Sequence, residues 1–347
     1  MEERTDVAER HELGSYRDAA ERFNPPNRYG PAVTFLGVPR ANLREPETFQ
    51  DADAVVIGAP FDGGTTYRSG ARFGPLAIRS ADYIDHVPYR PSLALGIDPL
   101  SALGVVDAGD VLMPQGDIEK SVERLERAVT TIAEADAIPV VLGGDHTIAL
   151  PDVTGVANKY GHGRVSVIHF DAHADTGEAN DGLLLGHGTP MRRLIESGAA
   201  RGDRFFQLGL RGYWPDPPVL EWMREQGMRW FEMTEVVERG LDACMTEAFE
   251  RAMDDCDGVF LSIDVDVVDP GMAPGTGTPE PGGLTTRQLL DAVRRCGLEV
   301  PVVGLDVVEV SPPYDGPGNV TAAMANRVVL EALSGIARRR RDAAEAG

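Results

Sequence analysis

From residue 54 onward, short apolar runs alternate with stretches of helical periodicity. The runs Ala54–Ile57, Gly104–Val106, Ile138–Leu142, Val165–Phe170, Arg204–Leu208, Met228–Phe231, Val259–Ile263 and Val302–Leu305 are rich in β-branched or aromatic residues and bounded by Gly, Pro or Asp, so they read as strands. Between them, Ile118, Val122, Leu125, Val129 and Ile132 fall on one stripe with charges opposite, the pattern of an amphipathic helix. Further helices are expected near Pro75–Tyr83, Pro190–Glu196, Pro218–Glu225, Thr286–Arg295 and Val320–Arg340. The last would end on the basic run Arg338–Arg341, where cations complement the helix dipole.

Continuous apolar runs alternating with helices imply strands buried on both faces. The fold class expected is therefore three-layer α/β/α, around a mostly parallel central sheet of about eight strands. Such sheets bind ligands outside the carboxyl ends of their strands. The chain has no internal repeat and no break in composition after residue 50, so residues 33–340 are expected to form a single domain. Residues 1–32 read as an irregular arm, because Asn24-Pro25-Pro26-Asn27-Arg28-Tyr29-Gly30-Pro31 cannot continue a helix. Tyr29, Phe35 and Leu36 are candidates to lie against a neighbouring subunit.

Composition narrows the function classes. The 347 residues carry a formal net charge of -22, which argues against nucleic-acid binding, a task that needs a basic face. Two lysines, Lys120 and Lys159, stand among arginines. No run approaches the roughly 18 consecutive apolar residues of a membrane span. The first residues, MEERTDVAERHELGSYRDAAERF, are charged throughout and lack an apolar signal core, so a cytoplasmic location is expected. Cys244, Cys256 and Cys296 form no CxxC pair and are odd in number, which favours reduced, buried thiols over a disulfide framework.

Four polar clusters each follow an apolar strand run: Gly143-Gly144-Asp145-His146, Asp171-Ala172-His173-Ala174-Asp175, Asp264-Val265-Asp266, and Asp306 with Glu309. In a parallel sheet all four would gather at one edge. Asp171, His173 and Asp175 are two apart, as are Asp264 and Asp266, and in extended chain such residues point the same way. Mixed Asp and His ligands suit Mn, Fe, Ni or Zn, and bridging carboxylates hold paired ions roughly 3.5–4 Å apart. A lone DxD or a lone His is more often structural. Here, however, five of the seven histidines lie between His146 and His187.

GGDHTIAL, HFDAHADTG, SIDVDVVDP and GLDVVEVSP, in this order, resemble the signature blocks of the ureohydrolase family, which includes arginase, agmatinase and other guanidino-compound hydrolases. The resemblance runs from about residue 50 to 335. APFDGGTTYRSGARFGPLAIR (59–79) and TPEPGGL (278–284) are similar to the agmatinase-like branch. The resemblance implies an arginase-like fold and two divalent metal ions, Mn2+ first and Ni2+ as the alternative. By motif position, His146, Asp171, Asp175 and Asp264 match the ligands of one ion; Asp171, His173, Asp264 and Asp266 match those of the other. His187 matches the family's proton-shuttling histidine and Glu309 the carboxylate that receives the guanidinium. Asp175 would orient the attacking water. A homo-oligomer, trimer or hexamer, is implied as well.

The expected reaction is hydrolysis of a small guanidino substrate to urea and an amine. Agmatine or a short guanidino acid such as 4-guanidinobutyrate ranks ahead of arginine, because Thr176–Gly186 lacks the Asn and Ser pattern with which arginase grips an amino acid. Leu183, Leu184 and Leu185 suggest an apolar wall there. Free guanidine as substrate, a deacetylase-like hydrolase on the same architecture, and a catalytically silent binding protein are the alternatives. His169 is expected to pack or hydrogen-bond rather than ligate, His162 to lie in a loop, and Asp145 and Asp306 to support the ligands or a turn.

Overall fold

The computed structural model describes residues 34–82, 89–180 and 182–346. Among them eight strands form one sheet, parallel at every pairing: β1 (Ala54–Ala59), β2 (Val105–Asp110), β3 (Ile138–Gly143), β4 (Val165–Phe170), β5 (Phe205–Leu210), β6 (Arg229–Glu232), β7 (Gly258–Asp264) and β8 (Val302–Val308), in the order β2-β1-β3-β8-β7-β4-β5-β6. Each strand run read from the sequence falls on one of these. The inner strands are buried along their whole length, whereas the edge strands β2 and β6 are partly exposed.

The continuous apolar runs divide by alternation into two cores. Val56, Val140, Ile168, Leu261 and Leu305 face one layer of helices, whereas Val55, Val141, Val167 and Phe260 face the other. The first layer is built by α8 (Leu241–Ala252), α9 (Thr286–Glu299) and α10 (Val320–Ala346), the second by α3 (Ile118–Glu134), α4 (Ala149–Tyr160) and α5 (Pro190–Glu196). Shorter helices are α1 (Gly74–Ser80), α2 (Pro99–Ala102), α6 (Pro217–Glu225) and α7 (Met233–Arg239). The three-layer α/β/α architecture is thus the one expected. Helix starts follow local chemistry: Asp117 accepts the Lys120 amide to cap α3, and Thr285 and Gln288 form a reciprocal capping box on α9.

Two sequence expectations change, and a third falls outside the described residues. Phe35 and Leu36 are buried in the chain's own core, with the Phe35 amide donating to Asp107 Oδ2 at 2.6 Å, so they do not lie on a neighbour. The arm 1–32, with Tyr29, lies outside the described residues, as does Tyr83 at the end of the expected first helix. Helix α10 continues to Ala346, so Arg338–Arg341 is not its terminus. Those arginines pair with carboxylates instead: Arg338 with Asp342, Arg341 with Glu345, and Arg340 with Asp53. By length and composition α10 could also cross a membrane, but 72% of its apolar window is buried in this fold. It packs closely on α9, where a Cβ at Gly297 would come within 2.6 Å of the Ala332 carbonyl oxygen.

The four central strands β3, β8, β7 and β4 are neighbours in the sheet. Their carboxyl ends therefore bring residues 143–146, 306–309, 264–266 and 171–175 to one place.

Candidate metal centre and active site

The loop after β3 turns at Gly144, where a Cβ would meet the Phe61 carbonyl oxygen at 2.1 Å. Asp145 then accepts the amides of Thr147 (3.0 Å) and Gly64 (2.8 Å), capping a single helical turn, His146–Ile148, that aims His146 at the sheet edge. His146 Nδ1 lies 3.0 Å from Asp171 Oδ2, 2.9 Å from Asp175 Oδ2 and 3.3 Å from Asp264 Oδ2. Its Nε2 contacts Ser262 Oγ at 2.9 Å, and that hydroxyl donates to Asp306 Oδ1 at 2.9 Å. Asp145 and Asp306 thus have the supporting places expected of them.

A second group adjoins the first. His173 Nδ1 lies 3.1 Å from Asp266 Oδ2 and 3.4 Å from Asp171 Oδ1. The amides of His173, Asp266 and Ala172 donate to Asp171, Asp264 and Asp266, fixing these carboxylates against the backbone. Asp171 stands in both groups. All six side chains proposed as ligands are gathered within one constellation.

His187 and Glu309 close the site from the side. His187 Nδ1 is 2.9 Å from Glu309 Oε1, and its Nε2 is 2.7 Å from Thr66 Oγ1 and 3.1 Å from the Thr66 amide. Glu309 Oε1 also accepts the His146 amide at 2.9 Å, whereas Oε2 is buried without a partner. Asp175 and Glu309 both adopt the left-handed region, with φ of 52° and 63°. That conformation is costly for a side chain bearing a Cβ and concentrates at functional sites.

A model of the Arginase family matches residues 52–335. The chain belongs to the arginase family. It is 39% identical over 316 residues to guanidinobutyrase from Pseudomonas aeruginosa, covering 90% of this chain and 95% of that protein. Among solved structures, proclavaminate amidinohydrolase from Streptomyces clavuligerus superposes with a TM-score of 0.80 at 36% identity, over 90% of this chain and 99% of that one. Formiminoglutamase from Trypanosoma cruzi, solved with Mn2+, gives a TM-score of 0.75 at 28% identity, over 86% and 98% of the two chains.

The donor set of this arginase-family site fits divalent cations. His146 Nδ1 and Asp266 Oδ2 are buried and make no well-directed hydrogen bond, although Asp175 Oδ2 lies 2.9 Å from the first and His173 Nδ1 3.1 Å from the second. Burial, then Asp266 and Asp171, push Asp264 well above the usual carboxylate range, and burial raises Asp266. Asp171 is held well below that range: burial opposes its charge, but His169, His146 and His173 outweigh it. Buried carboxylates at this density call for positive charge, which divalent ions would supply.

Several residues that line the site were not read from the sequence. Thr66, Asn180, Trp214 and Thr278 line the same pocket as His173, Asp175, His187 and Glu309. Thr66 and Thr278 sit in the two segments that resemble the agmatinase-like branch, and Asn180 in the flanking loop; nothing in the sequence marked Trp214. Leu183 and Leu184 are exposed and do not line the pocket, so they build no apolar wall. His162 lies at the surface against Asn158.

Proposed function

We propose that this arginase-family chain hydrolyses a guanidino compound to urea and an amine at a centre holding two divalent ions, Mn2+ first and Ni2+ as the alternative. The observation that carries this reading is Glu309. Its Oε2 is buried and unpartnered beside the histidine–carboxylate cluster. A guanidinium offers the planar N–H donors that such an oxygen lacks.

In this reading His146, Asp171, Asp175 and Asp264 hold one ion, and Asp171, His173, Asp264 and Asp266 the other. When bound, the ions supply the Lewis acidity that brings a water's pKa to roughly 7. Asp175 orients that water by accepting a hydrogen bond. His187 carries the proton that the departing nitrogen needs. Burial opposes its charged form, but Glu309, Asp145 and Asp175 outweigh burial and push its pKa up to about 9. The Thr66 amide favours the neutral ring, yet Thr66 Oγ1 can accept from the charged one, so both proton states keep a partner.

Agmatine and short ω-guanidino acids such as 4-guanidinobutyrate are ranked ahead of arginine. Asn180 and Trp214 flank the pocket where the substrate tail would lie. A homo-oligomer belongs to the same reading, in keeping with the exposed side chains of Tyr67, Phe73 and Leu76. So does a cytoplasmic setting, which suits three free, buried cysteines. The test is urea release from agmatine, 4-guanidinobutyrate, 3-guanidinopropionate, arginine and guanidine with Mn2+, Ni2+ or Zn2+. Urea from a tailed substrate other than arginine is expected; no urea from any pairing would overturn the reading.

A further inference from the structure

His169 stands two residues before Asp171, with its Nε2 2.8 Å from Asp171 Oδ2 and its ring edge-on to His146 at 4.9 Å. By position alone it could be a third nitrogen ligand, since His146, His169 and Asp171 present donor atoms within 4.8 Å of one another. Its hydrogen bonds decide otherwise.

Strand pairing sets His169 of β4 directly opposite Gln207 of β5. Gln207 Nε2 lies 2.7 Å from the Ala174 carbonyl oxygen and 2.9 Å from His169 Nδ1. A carbonyl oxygen only accepts, so the nitrogen end of the amide must face Ala174. The same nitrogen faces His169 and has only hydrogens to offer. His169 Nδ1 is therefore the acceptor, and the ring proton sits on Nε2, pointing at Asp171. An imidazole nitrogen that carries a proton has no lone pair for a metal ion.

We propose that His169 and Gln207 are positioning residues: Gln207 fixes the Nε2–H tautomer of His169, and His169 donates to Asp171 Oδ2 and holds the carboxylate shared by both ligand groups. Gln207 acts on the loop a second time. By binding the Ala174 carbonyl it steadies the peptide that leads into Asp175, whose φ is positive. All of His169, Gln207 and Asp171 are fully buried, so water does not substitute for any member. Partners of this kind orient ligating carboxylates and raise affinity for the ion without touching it.

The metal arm of the test rests on the two-ion reading; the tautomer arm does not. The tautomer is read from 15N–1H spectra of the full chain labelled at histidine, metal-free and with diamagnetic Zn2+, with the His169 signals assigned by their loss in His169→Asn. Mn2+ affinity is measured by titration calorimetry. In the native chain the proton should sit on Nε2 with and without Zn2+. Gln207→Glu keeps the shape but puts an acceptor where the donor was, so a proton should appear on Nδ1 while Nε2 keeps its own toward Asp171; Gln207→Met removes the donor without adding charge. Both variants should bind Mn2+ roughly 10–100-fold more weakly, the usual effect of such a partner. A native proton on Nδ1, a proton displaced from Nε2 by Zn2+, or unchanged protonation and affinity in a folded Gln207→Glu would overturn the proposal. If neither variant folds, the native tautomer alone decides. An Nε2–H tautomer in a chain that binds no divalent ion would support the positioning pair and count against the two-ion reading instead.

Discussion

His187 and Glu309 share a hydrogen bond of 2.9 Å, and the Glu309 oxygen that makes it also accepts the His146 amide. The proposed proton carrier, guanidinium receiver and metal ligand are thus joined through one carboxylate, whose second oxygen is buried without a partner. The sheet explains this economy: Glu309 leaves β8, the strand beside β3, and its own amide donates to Gly144 next to the His146 turn.

His187→Asn should separate proton delivery from ion binding. The change leaves every proposed ligand in place and removes the titrating ring. Metal content per chain should stay the same, while kcat falls roughly 10²–10⁴-fold, the usual contribution of a general acid. Loss of bound metal on substitution would reassign His187 as a ligand.

Glu309→Gln keeps an acceptor for the His146 amide but removes the charge that faces the guanidinium. Losing one charged hydrogen bond costs about 1.5–3 kcal/mol, or roughly 10–150-fold in kcat/KM. Steady-state kinetics on the best substrate of the panel measure this. A variant as efficient as the native chain would place the guanidinium elsewhere.

The pH response follows from His187, whose pKa is pushed up to about 9 from an ordinary 6.5. A raised folded pKa means that the charged ring stabilises the folded state fully below about 6.5, a contribution that is lost as pH rises through about 9. The melting-temperature advantage of the native chain over His187→Asn should therefore shrink between these limits. Activity should decline on the alkaline side near 9 if the charged ring donates the proton. An advantage that grows with pH would reverse the assignment.

Much of this arrangement was legible in the sequence because parallel strands buried on both faces leave continuous apolar runs, and the ligand clusters follow those runs directly. Helix α4 was not read: Pro151 and Gly155 interrupt its propensity, and its burial at Pro151, Asp152, Val153, Gly155, Val156 and Ala157 blurs any single stripe. Helices α7 and α8 were missed as well. Thr66, Asn180 and Trp214 lie in loops without periodicity, and only the path of the chain brings them to the pocket. The left-handed backbone at Asp175 and Glu309 had no glycine to announce it. Leu183 and Leu184 misled because three consecutive leucines suggest a wall, yet the loop turns the first two into solvent.

Asp171 is the residue on which the metal assignment turns, because it stands within reach of both His146 and His173. Asp171→Asn should release both ions, whereas His146→Ala should weaken chiefly one. Elemental analysis of metal-reconstituted chains, after equilibrium dialysis, reads this directly.

The most direct test of the account is the ion count of the native chain. Reconstituted with excess Mn2+ and dialysed, it should retain about two ions per chain at this site, and Asp171→Asn should retain neither. A single tightly bound ion, with His146, Asp171, His173, Asp175, Asp264 and Asp266 all intact, would contradict the paired centre.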